Sequence, residues 1–164
     1  MKKIVLRSKA RMTSTRLPGK VLMKVGKISF LEILLKRLQR VKKIDDIIIA
    51  TTTNTFDDPI IELAKVLNIG YFRGLEEDVL SRVLSATKEY KTDIIVEITG
   101  DCPLIDPEIV SQVIDLYLIN DCDYVCNIEP VTFPIGMDVQ VFSTELLDIY
   151  DKEGKTPEDR EHVS

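Results

Sequence analysis

Apolar residues recur three and four apart in separate stretches of the chain: Phe30, Leu31, Leu34, Leu35, Leu38 and Val41; Ile60, Ile61, Ala64 and Leu67; Val79, Leu80, Val83 and Leu84; and Ile109, Val110, Val113, Ile114 and Tyr117. That spacing lines one face of an α-helix, so each stretch predicts a helix with a stripe to lay on a sheet. Short β-rich runs lie between them, at Lys3 to Leu6, Asp46 to Ala50, Gly70 to Phe72, Asp93 to Ile98 and Asp123 to Cys126. A further run, Met137 to Phe142, follows the turn from Thr132 to Gly136. Strands alternating with helices predict an α/β fold, a three-layer αβα sandwich around a mostly parallel, Rossmann-like sheet. Asp58-Pro59 and Asp106-Pro107 each read as an N-cap acceptor followed by proline at the first helical position. Capping is the simpler role for those aspartates than ligand binding.

Length and composition narrow the class. At 164 residues the chain fits one domain, and nothing before about residue 143 reads as a repeat, linker or boundary. The stretch from Gly154 to Ser164 stops as a helix begins, so the expectation is a single domain, 1–164, truncated at its C-terminal end. With 45% apolar and 30% charged residues, disorder is not indicated. A net charge of −5 gives no basic field for nucleic acid or an anionic membrane, so any anion must be met locally. No apolar run is long enough to span a bilayer, and the apolar start turns polar at Arg7, too soon for a signal peptide. The cytoplasm is the expected compartment. Cys102, Cys122 and Cys126 are an odd set without export features, and a chain with the single histidine His162 is poor in zinc ligands.

The densest chemistry follows the first strand, in Ala10-Arg11-Met12-Thr13-Ser14-Thr15-Arg16-Leu17-Pro18-Gly19-Lys20. α/β sheets bind ligands at the carboxyl ends of their strands, and this loop brings cations, hydroxyls and a Pro-Gly turn to that place. Backbone N–H groups and hydroxyls could meet phosphate oxygens while Arg16 and Lys20 balance the charge. A solvated basic loop is the plain alternative. It is not a Walker loop: Ser14 stands where glycine is needed and Val21 where Ser or Thr is needed. Asp101 lies in a Gly-Asp turn just past the apolar run Ile94-Ile95-Val96. Its carboxylate there suits Mg²⁺, and an ordinary turn is the alternative.

The loop is similar to the signature A-R-M-G-S-T-R-L-P-G-K of a cytidylyltransferase family. That family includes the spore-coat polysaccharide biosynthesis F-type proteins and, more distantly, the CMP-sugar-acid synthetases for sialic acid and 3-deoxy-manno-octulosonate. Every position matches except Thr13. The resemblance continues, in the family's order, through Ile48 to Asn54, Phe72-Arg73-Gly74, Glu76 to Arg82, Ile98 to Asp106, Gly136-Met137-Asp138-Val139 and Arg160-Glu161-His162-Val163.

It implies a nucleotidyltransferase in which a sugar oxygen attacks the α-phosphorus of CTP and releases pyrophosphate. The expected partners are CTP and a sugar or sugar acid, with Mg²⁺ as cofactor and a homodimer possible. The resemblance puts Arg16, Lys20 and Asp101 at the chemistry, with Asp101 as a metal carboxylate and Asp138 as the substitute candidate for a second one that such synthetases supply from later in the chain. Nucleotide contacts are expected from Ala10, Arg11, Met12, Thr13, Ser14, Thr15, Thr51, Thr52, Arg73, Asp78 and Arg82, and the acceptor side from Glu161 and His162. From the residues alone, Thr51 and Thr52 could instead finish a strand, Arg82 could be a surface partner of Asp78 one turn away, and His162 an exposed helix residue.

The chain also departs from the family, which usually reads I-I-Q-A-R-M-G-S-T. Arg7 and Ser8 replace apolar residues in a strand expected to be buried, Lys9 replaces an amide that could read a base edge, and Thr13 replaces a glycine that lets backbone approach phosphate. Two rivals follow: a nucleotide-binding module with impaired catalysis, and a glycosyltransferase consuming a nucleotide sugar. The second would be expected to carry a D-x-D motif after a strand; the matches are Asp121-Cys122-Asp123, which precedes one, and Asp57 with its neighbours, and both are poorly placed.

Overall fold

The computed structural model describes residues 2–131, 133–153, 156 and 160. The chain runs through β1 (Ile4–Lys9), a 3-10 turn at Lys20–Leu22, β2 (Lys24–Val25), β3 (Ile28–Ser29), α1 (Phe30–Leu38), β4 (Asp46–Thr52) and α2 (Asp58–Val66). It continues with β5 (Gly70–Gly74), α3 (Val79–Glu89), β6 (Ile94–Thr99), α4 (Pro107–Ile119), β7 (Tyr124–Cys126), β8 (Gln140–Ser143) and α5 (Thr144–Glu153). The main sheet has the order β5-β4-β1-β6-β8-β7. β5, β4, β1 and β6 are mutually parallel, and β8 runs antiparallel to both β6 and β7.

Alternation along the strands fixes which helices cover which face. Ile4 and Leu6 of β1, Ile49 of β4 and Val96 of β6 join Leu31, Leu34, Leu35 and Leu38 of α1, Ile60 and Ala64 of α2 and Val110, Val113 and Ile114 of α4 in one core. Val5, Ile48, Ile95 and Phe142 point the other way, to Leu80, Val83 and Ala86 of α3 and Leu147 of α5. The result is the expected three-layer sandwich. Burying one such leucine or isoleucine is worth about 1.5–3 kcal/mol, so the stripes read in the sequence hold the helices in place.

Helix starts follow local chemistry. Ser29, Asp78 and Asp106 accept hydrogen bonds from the backbone N–H groups of Glu32, Ser81 and Glu108, capping α1, α3 and α4. Asp58 does not cap: it is the first residue of α2, and its carboxylate pairs with Arg73 Nη1 at 2.7 Å. The preceding Asp57 occupies the cap position but turns its side chain elsewhere.

The first strand runs further than its apolar residues suggest, through Arg7 and Ser8 to Lys9. Parallel pairing on both sides buries it, and the β1–β6 register sets Arg7 opposite Glu97. The charge that looked unpaired in the sequence has its partner on the next strand. β8 begins at Gln140, three residues later than the apolar run at Met137, and the short β2–β3 hairpin and α5 were not anticipated.

Candidate functional site

β1 and β6 lie side by side and deliver Lys9 and Thr99 to the same sheet end. The loop after β1 and the turn after β6 then bound a cleft of about 210 Å³. Ala10, Arg11, Ser14 and Lys20 come from the first loop, Gly100 and Asp101 from the turn, and Val79 and Arg82 from α3. Gly100 is required by proximity: its N–H donates to the Lys9 carbonyl at 3.0 Å, and a Cβ there would collide with that same oxygen. Gly19 closes the loop with φ of 72°, its N–H donating to the Met12 carbonyl at 2.8 Å. The loop thus folds back on itself. Met12, Thr13, Ser14 and Thr15 line an adjoining recess with Phe56, Pro18 and Gly19, and Ser14 belongs to both hollows.

The cleft is lined by cations with few counter-charges. Lys20 Nζ pairs with Asp101 Oδ2 across the opening. Burial would raise the Asp101 carboxyl, but the Lys20 ammonium and the Thr99 hydroxyl hold it below the ordinary carboxylate range. It therefore stays ionised at neutral pH. Arg82 is not at the surface: it is 4% exposed, its Nη1 donates to the carbonyls of Leu75 and Glu76, and its Nε has no hydrogen-bond partner among the described residues. Burial and the nearby Arg11 both lower its guanidinium. Asp78, the expected surface partner, pairs instead with Arg160 Nε at 2.9 Å, and Arg160 also reaches Asp151 at 3.0 Å.

Glu76 gathers the outer wall. Its carboxylate accepts from the Thr13 hydroxyl and from Asn54 Nδ2 at 3.1 Å, and Arg11 Nη1 lies 3.9 Å away. The two hydrogen bonds, with Arg11 adding charge, hold Glu76 below its usual range. Thr13, which replaces a glycine of the family pattern, is thereby tied to the loop before α3.

Other expected residues sit elsewhere. Thr51 and Thr52 are fully buried, and both hydroxyls donate to Asp57 Oδ2, at 2.9 and 2.5 Å. Asp57 also accepts from the backbone N–H groups of Thr52 and Met12, joining the end of β4 to the first loop. Arg73 donates to the carbonyls of Thr52 and Asn54 and to Asp58, bracing the same corner. Arg16 and Thr15 are exposed, and Arg16 is not among the residues lining either hollow. Asp138 is half-buried, close enough for its charge to raise the Cys102 thiol beside Asp101. Burial is the main cause of that rise, so Cys102 is a thiol and not a ready nucleophile. Glu161 and His162 lie outside the described residues.

Lys9, Thr99 and Gly100 in the cleft, and Asp57 behind it, were not singled out as site residues. Lys9 is visible in the sequence only as a departure from the family, and Asp57 only as a poorly placed match to an acidic metal motif.

A profile of the cytidylyltransferase family matches residues 8–164. The chain belongs to that family. It is 43% identical over 162 residues to an uncharacterized protein of Methanocaldococcus jannaschii, covering 99% of this chain and 65% of that protein. It is also 35% identical over its whole length to the spore coat polysaccharide biosynthesis protein SpsF of Bacillus subtilis, spanning 69% of it. The structure of a cytidylyltransferase from Leptospira borgpetersenii superposes with a TM-score of 0.91 at 38% identity, over 98% of this chain and 68% of that one. The chain thus spans about two thirds of the length of these relatives. The family's signature loop forms one wall of the cleft, and Asp101 faces it.

Proposed function

We propose that the cleft binds CTP with Mg²⁺ and that the protein transfers the cytidylyl group to a sugar or sugar acid, releasing pyrophosphate, in the synthesis of a surface or spore-coat polysaccharide. The observation that carries this reading is the cleft itself, where Lys9, Arg11, Lys20 and Arg82 converge with a single lining carboxylate, Asp101. Glu97 and Glu76 approach Lys9 and Arg11 from outside the lining, yet the cations still outnumber the carboxylates; that surplus calls for a polyanion, and charge-assisted hydrogen bonds to phosphate are the strong kind.

Phosphoryl chemistry asks for alignment and neutralisation of charge more than for a covalent nucleophile. Ser14 offers a hydroxyl and the loop its N–H groups, while Lys20, paired with Asp101, would neutralise phosphate charge beside that carboxylate. No group of three or more His, Cys, Asp or Glu that could hold a metal occurs among the described residues. Asp101 alone, or with Asp138, fits Mg²⁺, which takes one or two carboxylates and completes its shell with phosphate oxygens and water. Bound there, the ion would neutralise charge on the triphosphate.

The glycosyltransferase reading finds no support in the cleft. Asp121 and Asp123 lie on the connection from α4 to β7, and Asp57 is fully engaged by Thr51, Thr52 and Met12. Pyrophosphate release with CTP, Mg²⁺ and a panel of sugars and sugar acids tests the proposal. Turnover with CTP well above that with UTP, ATP or GTP is expected. Consumption of a nucleotide diphospho-sugar without pyrophosphate release would overturn it.

A further inference from the structure

Arg7 is among the largest fully buried side chains of the molecule, 1% exposed on the α3 face of the sheet. Glu97, opposite it on β6, is 3% exposed. Glu97 Oε2 accepts from Arg7 Nε at 2.6 Å and also from Nη2. The other carboxylate oxygen, Oε1, has no hydrogen-bond partner among the described residues and faces Lys9 Nζ at 3.3 Å. Lys9 stands two residues beyond Arg7, on the same face of β1, and reaches the cleft. One carboxylate therefore serves two cations.

The layer beneath the cleft is accordingly short of negative charge. Arg7 and Lys9 share Glu97, Arg82 has only the carbonyls of Leu75 and Glu76, and both Arg7 Nη1 and Arg82 Nε lack partners among the described residues. An unpaired buried cation is expensive, and an anion entering the cleft would lower that cost. A lysine ammonium is a compact point charge with three donors, suited to phosphate, but its flexible stem loses entropy unless something holds it. Glu97 supplies the hold, and Arg7 keeps Glu97 fixed from the buried side.

We infer that the buried Arg7–Glu97 pair is a positioning device for Lys9, and that Lys9 is a further phosphate-binding cation of the cleft. This rests on the triphosphate reading above. The amide that the family more often carries at this position has no charge to offer. Lys9 therefore adds an electrostatic contact particular to chains with this substitution, and a basic, acidic and basic residue at positions 7, 97 and 9 act as one unit.

Calorimetric affinities for CTP and for cytidine, both with Mg²⁺, test it on the full chain, the Lys9→Gln variant, the Arg7→Met/Glu97→Met variant and the triple variant. The paired methionines remove one charge of each sign and fill similar volume, a replacement that proteins often accept without loss of stability. Net charge is unchanged, so their effect on binding reads positioning alone. Lys9→Gln is expected to weaken CTP about twentyfold, within the range for a hydrogen bond to a charged group, and to leave cytidine unchanged. The methionine pair is expected to weaken CTP about threefold, and to do nothing further once Lys9 is Gln, as coupled residues behave. If the pair does not fold, Glu97→Gln replaces it with the same requirement that its effect vanish in the Lys9→Gln background.

Unchanged CTP affinity in Lys9→Gln overturns the inference, as does an equal loss for CTP and cytidine, which would place Lys9 at the base. An effect of the methionine pair that survives in the Lys9→Gln background overturns the positioning half. Failure of the unaltered chain to bind CTP at all sinks the triphosphate reading itself, a result distinguishable from these.

Discussion

Two polar clusters stand at the carboxyl ends of neighbouring strands, and they differ in what completes them. At the end of β4, Thr51, Thr52 and Asp57 are fully buried and satisfy one another, with the N–H groups of Thr52 and Met12 taking the remaining carboxylate positions. At the ends of β1 and β6, Lys9, Arg11, Lys20 and Arg82 face an open cleft with Asp101 as its lining carboxylate. The two clusters serve opposite ends: a closed network of hydroxyls and one carboxylate holds the first loop to the sheet, whereas a cluster with a surplus of cations is open to a ligand. A buried polar group with all its partners is structure, and one without them is a site candidate.

Substitutions should therefore separate the clusters by what they damage. Asp57→Ala strands two hydroxyls and two backbone N–H groups in a buried setting, and a loss of about 3–5 kcal/mol in urea unfolding is expected. A loss under about 1 kcal/mol would mean that the network is not holding the loop. Lys20→Ala should do the reverse, lowering triphosphate affinity by about 1.5–3 kcal/mol with little change in unfolding. Exposed Arg16 gives the contrast. Arg16→Ala is expected to weaken CTP less than Lys20→Ala does, and equal losses would show that the loop closes over the ligand further than its free geometry suggests.

The smallest effect concerns Glu76. Its folded pKa lies below the unfolded value, so its contribution is fully present above the ordinary carboxylate range and is lost as pH falls through the folded value. Glu76→Gln should flatten the loss of thermal stability below about pH 4, by under about 3 °C for a partly exposed group. An unchanged acid arm would mean the Thr13 and Asn54 contacts contribute nothing in solution.

Most of the architecture was legible in the sequence because it rests on local period. The stripes of α1 to α4 and the β-rich runs each declare a face, and a parallel sheet follows from their alternation. The same pattern hid whatever depends on distant partners. Arg7 reads as the end of a strand until Glu97, ninety residues away, is seen opposite it in register. Arg82 reads as a surface residue paired with Asp78, because an i, i+4 partner is visible in sequence and the carbonyls of Leu75 and Glu76 are not. Asp57 was masked by the Asp-Pro pair beside it, which pointed to Asp58 as the cap. The α5 stripe is weak, with Leu147 its buried residue, and it went unread. In the site, Lys20, Arg11, Ser14 and Asp101 could be picked out because the signature loop and a strand-end turn are contiguous segments. Lys9, Thr99 and Gly100 needed the register of β1 with β6.

Thermal unfolding of the chain with each of the four nucleoside triphosphates, with and without Mg²⁺, tests the central claim most directly. A ligand at 100 times its Kd adds about 2.7 kcal/mol to stability, which such a scan resolves. The largest shift is expected with CTP and Mg²⁺ together, and the Asp101→Asn variant should keep its fold yet show the same CTP shift whether or not Mg²⁺ is present. No shift with any triphosphate, or full Mg²⁺ dependence in Asp101→Asn, would contradict the assignment of this cleft as a metal–triphosphate site.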